Sequence, residues 1–366
     1  MPKKVGILTF HWSDNYGAVL QAYALQSYLN NLGIDSEIID YLPPRKSFVK
    51  RLISRSPNKQ IEKLFLFKKH ILFQNFRKNY LNLSKESPTS INDLEDGMLF
   101  QYTDVIVGSD QVWNPSFHAA VKDFFEVYML NHSVNRNTIA YAPSIGHSIK
   151  TSISDEHQLL MTKYISNIDS ISVRENSSIN LLKSLEVVNP IKHVCDPTIL
   201  LETKYFNFKE SVRLPSRFLF SYMLHSADKQ FLHINHSISS FLNCKIINCN
   251  SKSALASNYV LPSPPNWLSL IQYADFVTTN SFHGVVFAIK YNTPFLALRR
   301  ADKQSSMNTR LESLLSLLGL TNRIISHEQP IDKSLIKSEI DWDSVQSKIE
   351  NFRDSSSNFL LNSLRI

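Results

Sequence analysis

The chain has 366 residues, long for a single core, so two domains are expected. Its composition is globular, with 43% apolar and 19% charged residues, and no apolar run is long enough to span a membrane. The net charge of +7 suits anionic ligands or a membrane surface. No zinc knuckle, helix-turn-helix or aromatic RNA-binding signature is present, so no nucleic-acid partner is expected.

Short apolar runs alternate with helical patterns, which predicts α/β layers built on parallel strands. Strands are expected near 5–10, 37–41, 105–107, 138–142, 170–173 and 193–195. A helix is expected from Ala18 to Leu32, stopped by Gly33. After Leu201 the pattern turns polar and irregular. A second set of strands follows at 218–224, 245–248, 276–278 and 295–298. The expected division is an N-terminal Rossmann-like domain over 1–202, a linker over 203–216 and a second Rossmann-like domain over 217–341. A helix over 342–366 is expected to pack back toward the first domain. Met1 to Val5 leads directly into a strand with no room for a signal peptide, so a cytoplasmic protein is expected. Cys195, Cys244 and Cys249 show neither metal spacing nor an even framework; they are expected to be reduced and buried, and no metal site is expected.

Residues 61–83 mix Leu64, Phe65, Leu66, Phe67, Ile71, Leu72, Phe73 and Phe76 with Lys63, Lys68, Lys69, His70, Arg77 and Lys78. The segment is too short and too charged to cross a bilayer. A basic, aromatic helix of this kind can lie on anionic lipid at the inner face of a membrane. The favoured reading is a helix packed on the first domain with its lysines reaching outward.

The chemistry is expected where strands end, because in open α/β sheets ligands sit beyond the carboxyl ends of the strands. The most informative stretch is Thr278-Thr279-Asn280-Ser281-Phe282-His283-Gly284, a strand end that opens a helix and offers an imidazole, hydroxyls and free N–H groups to an anion. Five further loops share its character. The first strand ends in His11-Trp12-Ser13-Asp14-Asn15-Tyr16-Gly17, where Asp14 or Asn15 can cap a helix and Gly17 lets backbone approach a ligand. Others are Gly108-Ser109-Asp110-Gln111-Val112-Trp113-Asn114, Pro143-Ser144-Ile145-Gly146, and the pair Arg174-Glu175 with Asp196-Pro197-Thr198. Asp110 and Asp196 can equally hold turns, and Arg174 can be a structural partner of Glu175 or Asp196. Trp12 and Trp113 could stack on a sugar ring or belong to the core. No dinucleotide fingerprint, phosphate loop, nucleophile elbow or paired-histidine metal motif is found.

Seven blocks in order resemble the polysaccharide pyruvyl transferase family. They are Gly6–Phe10 with Asn15–Leu25, Val107–Asn114, Tyr141–Gly146, Ser172–Glu175, Cys195–Thr198, Ser281–Gly284, and Arg310-Leu311 through Leu320. The resemblance implies two domains of glycosyltransferase-B type with the active site between them. It implies transfer of a pyruvyl group from phosphoenolpyruvate to two hydroxyls of a sugar in a cell-surface polysaccharide or its lipid-linked precursor, with no cofactor. In this light His283 is the donor-site histidine, a phosphate ligand or acid. Arg174 is the donor-carboxylate arginine, and Asp110 a candidate base. Asn15, Gly17, Ser144, Gly146, Asn280, Ser281 and Gly284 are expected around the donor, and Trp12, Asp14, Trp113 and Asn114 around the acceptor. One departure stands out. Several characterised members have Arg-Leu before the histidine, and this chain has Ser281-Phe282, so a donor cation is missing unless Arg299 or Arg300 replaces it. The rivals are a nucleotide-sugar glycosyltransferase and a non-catalytic sugar-binding assembly partner.

Overall fold

The structure is a computed structural model that describes residues 3–43, 57–95, 98–120, 123–131, 136–146, 153–208, 214–224, 229–250, 259–299, 308–326 and 332–366. Two parallel sheets organise it. The first contains β1 (Lys4–Leu8), β2 (Asp35–Ile38), β3 (Asp104–Val107), β4 (Asn137–Ala140), β5 (Ser170–Val173) and β6 (Ile191–His193), in the order β2-β1-β3-β4-β5-β6. The second contains β7 (Phe218–Met223), β8 (Lys245–Asn250), β9 (Phe276–Thr279), β10 (Phe295–Leu298) and β11 (Ile324–Ile325), in the order β11-β10-β9-β7-β8. The central strands β3, β7, β9 and β10 are buried at every position, as expected of strands covered on both faces. β11 is a two-residue edge that carries no periodic signal, and the sequence reading does not include it.

In both sheets the strand order reverses beside the first strand, between β1 and β3 and between β7 and β9. These are the switch points at which a crevice opens. Register places Leu8 beside Val107 and Tyr222 beside Thr279, so the loops that follow each pair emerge together.

The helix Tyr16–Asn31 follows β1. Asn15 caps it by accepting the N–H of Ala18 at 3.2 Å, and Gly33, at φ +76°, turns the chain out of it. Most of its residues are buried because it lies between the two sheets. The helix Phe282–Lys290 of the second half is buried throughout and packs against both Tyr16–Asn31 and the short helix Pro197–Leu200. Tyr16 stacks on Trp267, with centroids 4.9 Å apart and planes 5° apart, and donates to the Pro262 carbonyl at 2.8 Å. One apolar layer therefore continues from the first sheet into the second, and each sheet has a further layer of its own on the other face. The helix Trp342–Ser363 returns to the first half: Ser356 accepts the Cys195 N–H at 2.8 Å and the Ser363 carbonyl accepts Asn137 at 2.8 Å.

The helix Pro57–Tyr80 runs beside the junction. Arg77 and His70 each reach Asp14 at 2.9 Å, Phe73 packs on Tyr16, and Phe65 packs on Tyr259 of the second half. No helix among the described residues is long and apolar enough to cross a membrane.

Candidate active site

The charged side chains of four strand-end loops converge. Arg174, just past β5, places NH1 2.8 Å from Asp196 Oδ2, NH2 3.7 Å from Asp110 Oδ1 and Nε 3.9 Å from Glu175 Oε2. Asp196 follows β6 and caps the helix Pro197–Leu200. Its Oδ1 accepts the backbone N–H of Thr198 at 2.9 Å and the Thr198 hydroxyl at 2.7 Å. That leaves Oδ2 for Arg174, for Ser109 Oγ at 3.1 Å and for His283 Nε2 at 3.4 Å. Asp196 is thus both the turn former and the group that joins the two sheets' chemistry.

Glu175 holds the far side. Its Oε1 accepts Ser144 Oγ at 2.8 Å, the Ile145 N–H at 3.1 Å, the Gly146 N–H at 3.4 Å and Ser178 Oγ at 3.0 Å. Beneath the cluster a buried amide fixes the β3 exit. Gln21 donates to Thr9 Oγ1 at 2.7 Å and accepts the Ser109 N–H at 3.2 Å. Asp110 itself sits at φ +65°, the left-handed region that Asp tolerates better than most residues.

His283 comes from the second sheet, in the first turn of Phe282–Lys290, and is only 5% exposed. Its ring lies against Gly17: a Cβ added there would stand 2.0 Å from Nδ1. Two helices, capped by Asn15 and Ser281, therefore begin at the cluster, and their N-termini add partial positive charge. Phe282 lays its ring 4.6 Å from the Arg174 guanidinium, a cation–π contact across the junction.

The electrostatics follow from burial and pairing. Burial alone would push the Asp196 carboxyl up, but His283 and Arg174 hold it well below the usual carboxylate range, so it stays ionised. Burial opposes the Arg174 charge, and Asp196, Asp110 and Glu175 more than offset this, raising its pKa. Five buried polar atoms of the cluster and its rim make no hydrogen bond: Arg174 Nε and NH2, His283 Nε2, Glu175 Oε2 and Gln111 Nε2. Buried polar groups are costly to leave in this state, and four of these five atoms are nitrogens.

Of the residues expected around a ligand, His283, Arg174, Asp110 and Gly17 come together. The role of Gly17 is different from the expected one, since its missing side chain admits the His283 ring. Asn15 and Ser281 act as helix caps, Ser281 accepting the Gly284 N–H at 3.3 Å. Asn280 binds the Leu224 N–H at 2.7 Å and so ties β9 to β7. Gly284 is needed for packing, because a Cβ would meet Thr279 Oγ1 at 2.6 Å. Ser144 and Gly146 bind Glu175, and Gly146, at φ +69°, also leaves room for Asn114.

Two of the four expected acceptor residues, Trp113 and Asn114, require correction. Trp113 is 0% exposed and donates to the Tyr128 carbonyl at 2.8 Å, so it is core and no sugar platform. Asn114 is buried and accepts the Ser116 N–H at 3.0 Å. Asp14 is engaged by Arg77 and His70. Trp12 donates to Tyr128 Oη at 3.1 Å and packs on Phe10. Arg299 pairs with Glu312 at 2.8 Å, and Arg300 lies outside the described residues. Sequence places Glu175 and Asp196 in the strand-end loops but does not show that they, with Phe282, surround Arg174. Asp196 had a usable signal, its place directly after a strand in the same sheet as Arg174; the stacking of Phe282 had none.

A cavity of about 350 Å³ lies elsewhere, between the helix Pro57–Tyr80 and residues 260–270, with Asn75, Asn79, Phe76 and Asn266 in its lining. It has no carboxylate, imidazole, amine or guanidinium, so it lacks the groups for acid–base chemistry. Among the described residues no three His, Cys, Asp or Glu side chains are grouped to hold a metal ion.

Comparison with known proteins agrees with the reading by resemblance. A sequence model of the polysaccharide pyruvyl transferase family matches residues 15–302. No curated protein matches the chain. Among solved structures, the glycotransferase of kitacinnamycin aligns over 100% of both chains with a TM-score of 0.53 and 9% identity. The S. aureus MnaA–UDP co-structure aligns over 98% of this chain and 91% of its own, with a TM-score of 0.51 and 12% identity. At such identities the likeness concerns the fold, which is of the glycosyltransferase-B type.

Proposed function

The chain belongs to the polysaccharide pyruvyl transferase family and is a transferase, and we propose that it moves the pyruvyl group of phosphoenolpyruvate onto two hydroxyls of a saccharide, free or lipid-linked. The single observation that supports this most is the group of buried Arg174 and His283 donors without hydrogen bonds, set between two helix N-termini. A carboxylate matches the fork of Arg174 Nε and NH2. The phosphate would take its stabilisation from the helix N-termini and His283.

The chemistry suits these residues. Protonation of the donor's methylene carbon makes C2 electrophilic. One sugar hydroxyl adds to C2 and loses its proton. The phosphate then leaves, and the second hydroxyl adds with loss of its own proton, closing the ketal. His283, facing the ionised Asp196, is the proposed acid, and Asp110 the proposed base. Arg174 would hold the donor carboxylate, and Asp196 positions both cations. Three carboxylates against one guanidinium and one imidazole leave the cluster short of positive charge for a trianion. Among the described residues no further cation joins the cluster in place of the Arg lost in the Ser281-Phe282 departure, and Phe282 lies against Arg174 instead.

The second reading, a nucleotide-sugar glycosyltransferase, draws on the fold of the solved relatives. Isothermal calorimetry distinguishes the two. The expected result is saturable phosphoenolpyruvate binding that is lost in His283→Ala and Arg174→Ala proteins of unchanged circular dichroism. Binding of a UDP-, GDP- or CMP-sugar with no response to phosphoenolpyruvate would overturn the pyruvyl reading.

A further inference from the structure

The chain's charge is unevenly placed. Residues 44–80 contain 11 of its 39 basic residues and one of its 32 acidic ones, so this tenth of the sequence exceeds the whole +7 surplus. Within it, the helix Pro57–Tyr80 has no acidic residue after Glu62.

The described part of that helix has two faces. The inner face carries Phe65, Lys69, Phe73, Phe76 and Arg77, all buried. The solvent face should be polar in a helix that merely covers a domain. Instead it presents Leu64 (56% exposed), Phe67 (51%) and Ile71 (39%) at i, i+3 and i+7, which is one line along the helix. Lys68 and Lys78 are exposed on the same arc. Asn75 and Asn79, at the edge of that arc, line the 350 Å³ cavity, so the cavity opens beside the apolar line.

We propose that this face docks the protein onto an anionic lipid bilayer. Three large apolar side chains supply insertion into the interface, and the lysines supply attraction to the headgroups. Neither signal suffices alone for stable attachment, and the two together do. The complementarity of a positive, acid-free face with a negative surface argues for lipid over a second copy of the chain, whose matching face would carry the same charge. The inference does not depend on the donor: it stands whether the reaction uses phosphoenolpyruvate or a nucleotide sugar. In either case it would hold the cavity's mouth at the membrane surface.

Co-sedimentation of the full chain with vesicles tests it, using phosphatidylcholine alone and phosphatidylcholine with about one third phosphatidylglycerol. Binding is expected only to the anionic vesicles and is expected to fall with salt. The Leu64→Ser/Phe67→Ser/Ile71→Ser protein should bind at least ~10-fold more weakly, and Lys68→Glu/Lys78→Glu should lose roughly fivefold per lysine. Thermal unfolding of both variants should match the parent, since the altered side chains are largely exposed. Failure of the parent protein to bind, or undiminished binding by the triple variant, would overturn the proposal. So would a dimer, seen by light scattering, that the triple variant abolishes without any vesicle binding.

Discussion

The loops that leave the two sheets start from the same topology and end with different contents. Those of the first sheet carry Ser109, Asp110, Arg174, Glu175 and Asp196, a charged set wired to itself. In the second sheet, the loop after β9 brings one imidazole, His283, to that set. Its other polar groups, Asn280, Ser281 and Thr279, bind their own backbone. The difference teaches that equal switch points need not share the chemistry equally. One sheet can hold a charged cluster rigid while the other brings a single imidazole and the ring that stacks on Arg174.

The largest expected effect comes from cutting the link between the two. Asp196→Asn leaves Arg174 and His283 without their common anion in a buried site, which should cost about 3–5 kcal/mol in denaturant unfolding. Because the carboxyl is held low in the folded state, its stabilisation is full above about pH 4 and is lost as pH falls further, a loss the Asn protein should not show.

Lys290 tests the junction away from the site. Burial, with the nearby Arg353 charge, lowers its pKa to about 7, and its ammonium donates to the Leu201 carbonyl at 2.7 Å. The unfolded chain, with lysine near 10.4, binds this proton more tightly. Stability should therefore rise from about pH 7 toward pH 10, by roughly 3–5 kcal/mol. Lys290→Met should flatten that rise in a pH series of urea melts.

Gly17→Ala sharpens the comparison from the first-sheet side. The new methyl has no room beside His283 Nδ1, so the ring must move while the fold persists. Turnover should drop about 100-fold with little change in melting temperature, as for a displaced acid. Phe282→Leu should have the smallest effect. It removes a cation–π contact of about 1 kcal/mol, so donor affinity should weaken roughly fivefold in calorimetry.

The parallel architecture was legible because buried strands read as short apolar runs and Gly33 ends a capped helix. Element ends moved by a few residues, as at β6, where the strand occupies Ile191–His193 and the expected run was 193–195. The convergence of His283, Arg174 and Asp110 was legible too, since they lie in strand-end loops that topology gathers. What stayed hidden was the use of each polar group. Asn280 and Ser144 look like ligand-binding residues in sequence, yet they satisfy backbone and carboxylate partners that only the fold brings near. Trp113 misled for a related reason, since an aromatic in a loop has no pattern to tell platform from core. Phe282 reads as a lost cation in the chain and as a brace for Arg174 in space.

The apolar layer shared by the two sheets has a consequence for how the chain is made. The first sheet is complete once about two hundred residues have left the ribosome, yet Tyr16, Val19 and their neighbours must wait for Trp267 and Phe287 to be synthesised. At ordinary translation speeds of about 5–20 residues per second that wait lasts several seconds, with a greasy half-interface uncovered. A truncated product ending before residue 260 should therefore be recovered as aggregate.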